Sequence, residues 1–285
     1  MLEATDLSLI SLLQGEALAD PGIFYRQLHT SDPIHWDGPA NSWVLVRHAD
    51  IMAIIASPHV SSGRILPALN RMPDATRETL RPVFERLAKQ VMFLDPPDHT
   101  RLRGLLNKAF TPRVVELMRA RIVAIVDDLL GQVPDTGQMD LMRSVAYPLP
   151  ATVIGDLLGV PRGDQDQFKK WTGDFVVFLG STRVAPERAV AALQGVAEFI
   201  EYFRGLVADH RLHPRDDLLT ALSAAEEQGA MLDADELFAN CMFLLAAGHE
   251  TTTNLIGNAT LALLRNPTEQ QRLRNEPGLL AAAVE

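Results

Sequence analysis

A chain of 285 residues is long enough for one large domain or two modest ones, and 47% hydrophobic and 22% charged residues without a low-complexity run is the composition of a folded globular protein. The net charge of -10 excludes general nucleic-acid binding, which needs basic surface to neutralise phosphates. The single cysteine, Cys241, excludes an intramolecular disulfide and a cysteine-cluster zinc site.

In chain order, MLEATDLSLISLLQGEALAD carries acids where a secretory signal would carry basic residues, so the expected location is cytoplasmic. No apolar run reaches the ~20 residues of a membrane-spanning helix. DPIHW at 32–36 and NSWVLV at 41–46 flank the turn-rich DGPA and predict a β-hairpin. ADIMAIIASP predicts a short helix after it, and HVSSGRILPALNRMPDAT, broken by Gly, Pro and Ser, predicts an irregular loop region. From Asp98 onward helices are expected, with breaks at Thr111-Pro112, 131–138, Pro148, Pro150, Pro161, Pro214 and Gln228-Gly229. The longest should run from about Asp233 to Arg265, capped by Asp233 or Asp235 and ended by Asn266-Pro267; some 30 residues would extend roughly 45 Å. With no repeat and no linker, the expectation is one mainly α domain over 1–285. It has a small β element at about 32–47 and a helical bundle at about 98–285.

Two stretches carry chemistry. In FLDPPDHTRLRGLLNKAFTPR, Asp98 can cap a helix after Pro96 and Pro97, and Leu102, Leu105, Leu106, Ala109 and Phe110 form an apolar stripe. His99 falls inside that arc and Arg103 at its edge, so the pair is expected on the buried side, where it requires an anionic partner. An internal Asp or Glu would suffice; six Lys or Arg against one Glu between His99 and Arg121 could equally attract an acidic protein.

In LLAAGHETTTN, Leu244, Gly248, Thr251 and Leu255 share a face expected to be buried. Gly248 lets something approach the backbone, and threonine hydroxyls can reach back to carbonyls a turn earlier, so a local widening or kink is predicted. The plainer alternative is helix packing at Gly248 with Glu250 on the solvent side. A zinc-protease helix is excluded because position 253 is Thr where HExxH needs its second His.

Together these segments resemble the cytochrome P-450 family, the haem-thiolate monooxygenases, in its soluble bacterial form. AAGHETT resembles the oxygen-activation signature of the long central helix, and DPPDHTRLRGLLNKAFTPR the haem-propionate segment. The early DPIHWDGPANSWVLVRHADIMAIIASPHVSS is similar to the N-terminal sheet and its following helix, and RDDLLTAL to the stretch before the central helix. The resemblance implies the cytochrome P-450 fold, mainly α with a small β-sheet, and haem b as cofactor. It implies a monooxygenase that inserts one atom of O2 into a small hydrophobic substrate, with a ferredoxin-type or flavin redox partner. It assigns His99 and Arg103 to the haem propionates, Ala247 and Gly248 to the distal face, Thr251 to dioxygen or its water, and Glu250 to proton relay.

In the family the thiolate ligand sits in a glycine-rich loop near the C-terminus, after a helix bearing Glu-x-x-Arg. This chain ends at LLAAAVE, where Glu285 would abut or begin that pair, and the family's last third is expected to be missing. Cys241 stands two turns before Gly248 on nearly the same face, roughly 10 Å from the oxygen-binding position and on the distal side, which suits packing rather than ligation. The alternative to an enzyme is therefore a non-catalytic truncated remnant unable to ligate haem iron, with an exposed apolar patch where its cover is lost.

Overall fold

The computed structural model describes residues 8–13, 20–110, 112–134, 137–180, 186–227 and 230–284. The chain divides into two compact units, Met1–Ser61 and Ser62–Glu285. Expectations on Thr111, Gln228-Gly229 and Glu285, on most of the N-terminal stretch, and on the side chain of Ala109 lie outside what is described.

The first unit contains α1 (Gly22–Ser31), β1 (Ile34–Asp37), β2 (Ser42–Leu45) and α2 (His48–Ile55). The predicted hairpin is present and antiparallel, with Ile34 opposite Leu45 and Trp36 opposite Trp43. Asn41 takes the left-handed conformation (φ 50°) that closes its turn, a conformation asparagine tolerates better than most residues. Phe24 and Leu28 of α1 pack with Leu9, Leu12, Val44 and Val46. Buried Asp37 accepts hydrogen bonds from the Leu9 N–H (2.7 Å) and the Ser8 hydroxyl (2.9 Å), tying the preceding segment to the hairpin.

The second unit is helical apart from a two-residue ribbon, β3 (Glu226–Glu227) with β4 (Ala230–Met231). Its helices are α3 (Ile65–Asn70), α4 (Asp74–Leu87), α5 (Asp98–Ala109), α6 (Pro112–Gly131), α7 (Pro148–Leu157), α8 (Gln165–Gly180), α9 (Pro186–Leu212), α10 (Leu218–Ala224), α11 (Ala234–Arg265), α12 (Pro267–Asn275) and α13 (Leu280–Val284). A π-helical turn at Met142–Ala146 leads into α7. Helices thus begin before Asp98, and the stretch read as loop holds α3. Its proline stands within the first turn, where a missing N–H has no intrahelical partner to lose.

α8 and α9 pack through a layer of Phe168, Trp171, Phe199, Tyr202 and Phe203, with Phe199 and Phe203 stacked at 4.4 Å between ring centres. α11 runs against α7, α8, α9 and α4. At 32 residues it is about 48 Å long. Asp233 caps it, accepting the Glu236 N–H while the Glu236 carboxylate accepts the Asp233 N–H, a reciprocal capping box. Its first half is enclosed, from Leu237 to Met242; beyond Leu245 only His249 and Thr253 are buried, and α12 and α13 bury nothing. Leu255, Leu261, Leu264, Leu280 and Val284 are exposed. Among the described residues no helix is long and apolar enough to cross a membrane.

Candidate functional site

α11 is α-helical without interruption from Ala234 to Arg265, so the predicted widening is absent. The Thr251 hydroxyl does reach back, donating to the Ala247 carbonyl at 2.5 Å, but it shares that acceptor with the helix ladder instead of displacing it. The expected burial of the Leu244–Gly248–Thr251–Leu255 face is also corrected. Ala247, Glu250, Thr251 and Leu255 are exposed, Leu244 and Gly248 half-buried, and the covered line is His249, Thr253 and Gly257. Thr251 and His249 point roughly 160° apart. The reason is packing: α7 and the π turn cover one side of the helix. A Cβ on Gly248 would sit 3.4 Å from Ile154, one on Gly257 would meet the Met142 sulfur at 2.6 Å, and the His249 ring stands 4.6 Å from Tyr147. What approaches Gly248 along its missing side chain is therefore Ile154, as the packing alternative supposed, and the open face presents Ala247 and Thr251.

α5 buries Leu102, Leu105 and Leu106 as its spacing predicts. Its N-cap is Pro97, with Asp98 one residue further into the first turn. Arg103 is exposed and His99 half-buried, so Arg103 is not on the buried side and the argument from a buried charge fails for it. A different observation replaces it. Among the described residues, neither side chain has a carboxylate partner, whereas neighbouring cations are neutralised by acids of the α11 start. Arg86 Nε lies 3.3 Å from Asp235, Lys89 Nζ 2.9 Å from Asp233, and Arg101 pairs with Glu236. Burial pulls the Asp233 carboxyl upward, but the Glu236 N–H and the Lys89 ammonium outweigh it and hold it below its ordinary value. The internal acid considered for His99 and Arg103 is supplied to Arg101 instead.

Sequence reasoning missed Asn240, a polar residue inside the apolar run of α11. Its side chain is fully buried, accepts the Val91 N–H at 2.9 Å, and donates to the carbonyls of Lys89 (3.2 Å) and Glu236 (2.7 Å). Asn240 thereby clips α11, which carries Ala247 and Thr251, to the strand of chain that leads into α5, which carries His99 and Arg103. The available signal was a polar residue inside an otherwise enclosed segment, which must have partners.

By their chemistry His99 and Arg103 can take an anion, and exposed Ala247 and Thr251 offer a small side chain and a hydroxyl on α11. These suit the acidic edge and one face of a haem. An axial thiolate is another matter: burial pushes the Cys241 thiol up, and the residue is fully enclosed in the covered half of α11. Cys241 does not fit a ligand role.

The sequence profile of the cytochrome P450 family matches residues 68–278. Cytochrome P450 107B1 of Saccharopolyspora erythraea is 43% identical over 249 residues, covering 86% of this chain and 59% of that protein. Cytochrome P450 CYP107DY1 of Priestia megaterium is 37% identical over 274 residues, covering 92% and 65% respectively. A crystal structure of the myxobacterial cytochrome P450 CYP267B1 in complex with myristic acid matches with a TM-score of 0.81 at 35% identity, over 97% of this chain and 68% of the other. The chain thus spans less than two-thirds of the length of the two curated relatives.

Proposed function

The chain belongs to the cytochrome P450 family, and from that premise we propose that it forms the distal half of a haem monooxygenase site. The observation that carries the reading is that His99 and Arg103, one turn apart on α5, have no carboxylate partner among the described residues, whereas Arg86, Lys89 and Arg101 are matched by acids of α11. Two such groups take the propionates of haem b by charge-assisted hydrogen bonds. The bound haem supplies dioxygen activation and oxygen transfer to substrate. The protein's part is to place protons. The Thr251 Oγ1 proton is held on the Ala247 carbonyl, leaving the oxygen lone pairs to accept from a water on the open face. Glu250 is exposed and next in sequence; because α11 keeps α-helical turns throughout, it reaches that water through solvent and not by direct contact, acting as an acid. A small hydrophobic substrate is supported by the myristic acid in the CYP267B1 crystal structure. Electrons would come from a ferredoxin-type or flavin partner attracted to the basic stretch from His99 to Arg121.

A second reading is favoured by one observation. Because Cys241 is enclosed, the chain by itself holds no thiolate for iron, and alone it is non-catalytic. The test is to add haemin to the purified chain, reduce it, add carbon monoxide and record the difference spectrum, in parallel with Arg103→Gln and His99→Gln. A thiolate-type band supports the monooxygenase for this chain. Uptake without that band, weakened about tenfold by either substitution, supports the half-site. No uptake overturns both haem roles here.

A further inference from the structure

We propose that Trp171 and Tyr202 form a one-electron oxidation site in the α8–α9 layer, in which Tyr202 ends as a neutral tyrosyl radical and Asp164 takes its proton. The two rings are neighbours, with centres 5.2 Å apart. Each has a carboxylate of its own at its polar end. The Tyr202 hydroxyl donates to Asp164 Oδ2 at 2.8 Å, and the Trp171 indole N–H donates to Glu198 Oε2 at 3.1 Å. Indole and phenol are the most readily oxidised aromatic side chains, and loss of an electron makes both far more acidic. A base already within about 2.6–3.2 Å can take the proton as the electron leaves. Without that base, half-buried Tyr202 would have to carry a positive charge among apolar neighbours.

The surroundings set this pair apart from the other tryptophans and tyrosines. Trp171 is enclosed, whereas Trp36, Trp43, Tyr25 and Tyr147 are exposed. Among the described residues, none of those four donates to a carboxylate; their ring contacts are with one another, with Phe24 or with His249. Phe168, Phe199 and Phe203 complete the layer, and phenylalanine is much harder to oxidise, so they surround the pair without draining it. Asp164 ends the single turn Arg162–Asp164 that leads into α8, and among the described residues it has no cationic partner competing for it. Burial, and then Asp164, raise the Tyr202 hydroxyl above its ordinary value, so in the resting protein the proton stays on the phenol and leaves only with the electron.

Electrons and protons balance. A one-electron oxidant takes an electron from Trp171, whose N–H proton passes to Glu198. An electron from Tyr202 then refills Trp171, which recovers its proton from Glu198, while the Tyr202 proton passes to Asp164. In sum one phenol O–H bond breaks, one carboxylic O–H bond forms on Asp164, Tyr202 is oxidised and the oxidant is reduced by one electron. The co-reactant is therefore of one class, a one-electron oxidant strong enough to oxidise indole. α8 and α9 both pack against α11, so the pair is carried by two helices that touch the one bearing Ala247 and Thr251. This inference does not depend on haem.

The experiment is photochemical oxidation of the full chain by ruthenium(III) tris(bipyridine), followed by freeze-quench electron paramagnetic resonance. A tyrosyl signal is expected that is absent in Tyr202→Phe and kept in Tyr25→Phe and Tyr147→Phe. A signal unchanged in Tyr202→Phe, or no tyrosyl signal in the parent, overturns the proposal. Asp164→Asn keeps an acceptor for the hydroxyl but cannot take its proton, and should slow formation of the signal by about 100-fold, the low end of what a positioned base contributes. Trp171→Phe keeps an aromatic ring in the layer and should also slow it, because the relay is lost. Circular dichroism on each variant checks that the helices remain. A parent rate in either folded variant overturns the pair and leaves Trp171 and Tyr202 as packing residues with satisfied polar ends.

Discussion

Replacing Asn240 by leucine would make α11 a better apolar helix by pattern, and it should destabilise the protein. The substitution removes the acceptor of the Val91 N–H, which is buried, and leaves that donor unpaired at about 1–3 kcal/mol. It also removes donors to the Lys89 and Glu236 carbonyls, of which Glu236 O keeps its place in the helix ladder. Leucine returns about 1 kcal/mol of apolar burial at similar volume. The balance is a loss of about 2 kcal/mol, or a melting temperature lower by roughly 4–8 °C for a chain of this size. Asn240→Asp keeps the acceptor but turns a second oxygen toward two carbonyls, and should lose more. Thermal unfolding gives the sum, and hydrogen exchange at the Val91 amide locates it. If Asn240→Leu melts at or above the parent while Val91 stays protected, the side chain is not the clip between α11 and the α5 approach.

Phe203→Ala empties the centre of the α8–α9 aromatic layer, where Phe203 is fully enclosed, and should reduce unfolding free energy by about 3–5 kcal/mol in urea titration. Gly248→Ala should leave stability within about 1 kcal/mol of the parent, because the helix gains propensity and the added methyl meets Ile154 at 3.4 Å; a larger loss would mean the α7 contact is tighter than its geometry. Gly159→Ala should lose more than about 2 kcal/mol, since its Cβ would overlap the His210–Asp217 pair at 2.5 Å in a left-handed backbone. For Asp37, burial raises the carboxyl, but the Ala40 and Leu9 N–H groups and the Ser8 hydroxyl outweigh it, and the folded value lies below the usual one. Its stabilisation is therefore complete above the unfolded carboxylate value of about 4 and is lost as pH falls through the lower folded value. Asp37→Asn should flatten the acid limb of a pH–stability curve, and an unchanged limb would reject the tie.

Local pattern was sufficient where a single chain segment determines the outcome. The hairpin follows from alternation around a turn, the start of α11 from an acidic cap left open between Asp233 and Asp235, and the α5 stripe from leucines at helical spacing. It failed where the answer depends on distant chain. Asn240 meets Val91 across 149 residues, and no window around either contains the other. The same holds for α11, which has apolar residues on more than one side; spacing defines both stripes, while α7 and the π turn decide which is covered. The missing widening was a misjudged competition: one threonine hydroxyl adds to a ladder bond more easily than it replaces one.

The charges around α5 and α11 divide by this same logic of partners. Arg86, Lys89 and Arg101 fix the start of α11 through Asp235, Asp233 and Glu236, each pair partly exposed and individually worth little, and together with the Asn240 clip they set the register of α11 against the α5 approach. Arg103 and His99 take no part in that register, so removing their charge should leave folding almost unaffected while any anion they hold is lost. Arg101 is the control. It stands on the same helix two residues from either, and Arg101→Gln should loosen the α11 start, visible as faster exchange at the Glu236 and Leu237 amides, without a first effect on anion affinity. If instead Arg103→Gln lowers stability as much as Arg101→Gln, the distinction between a structural and a binding cation on α5 does not hold.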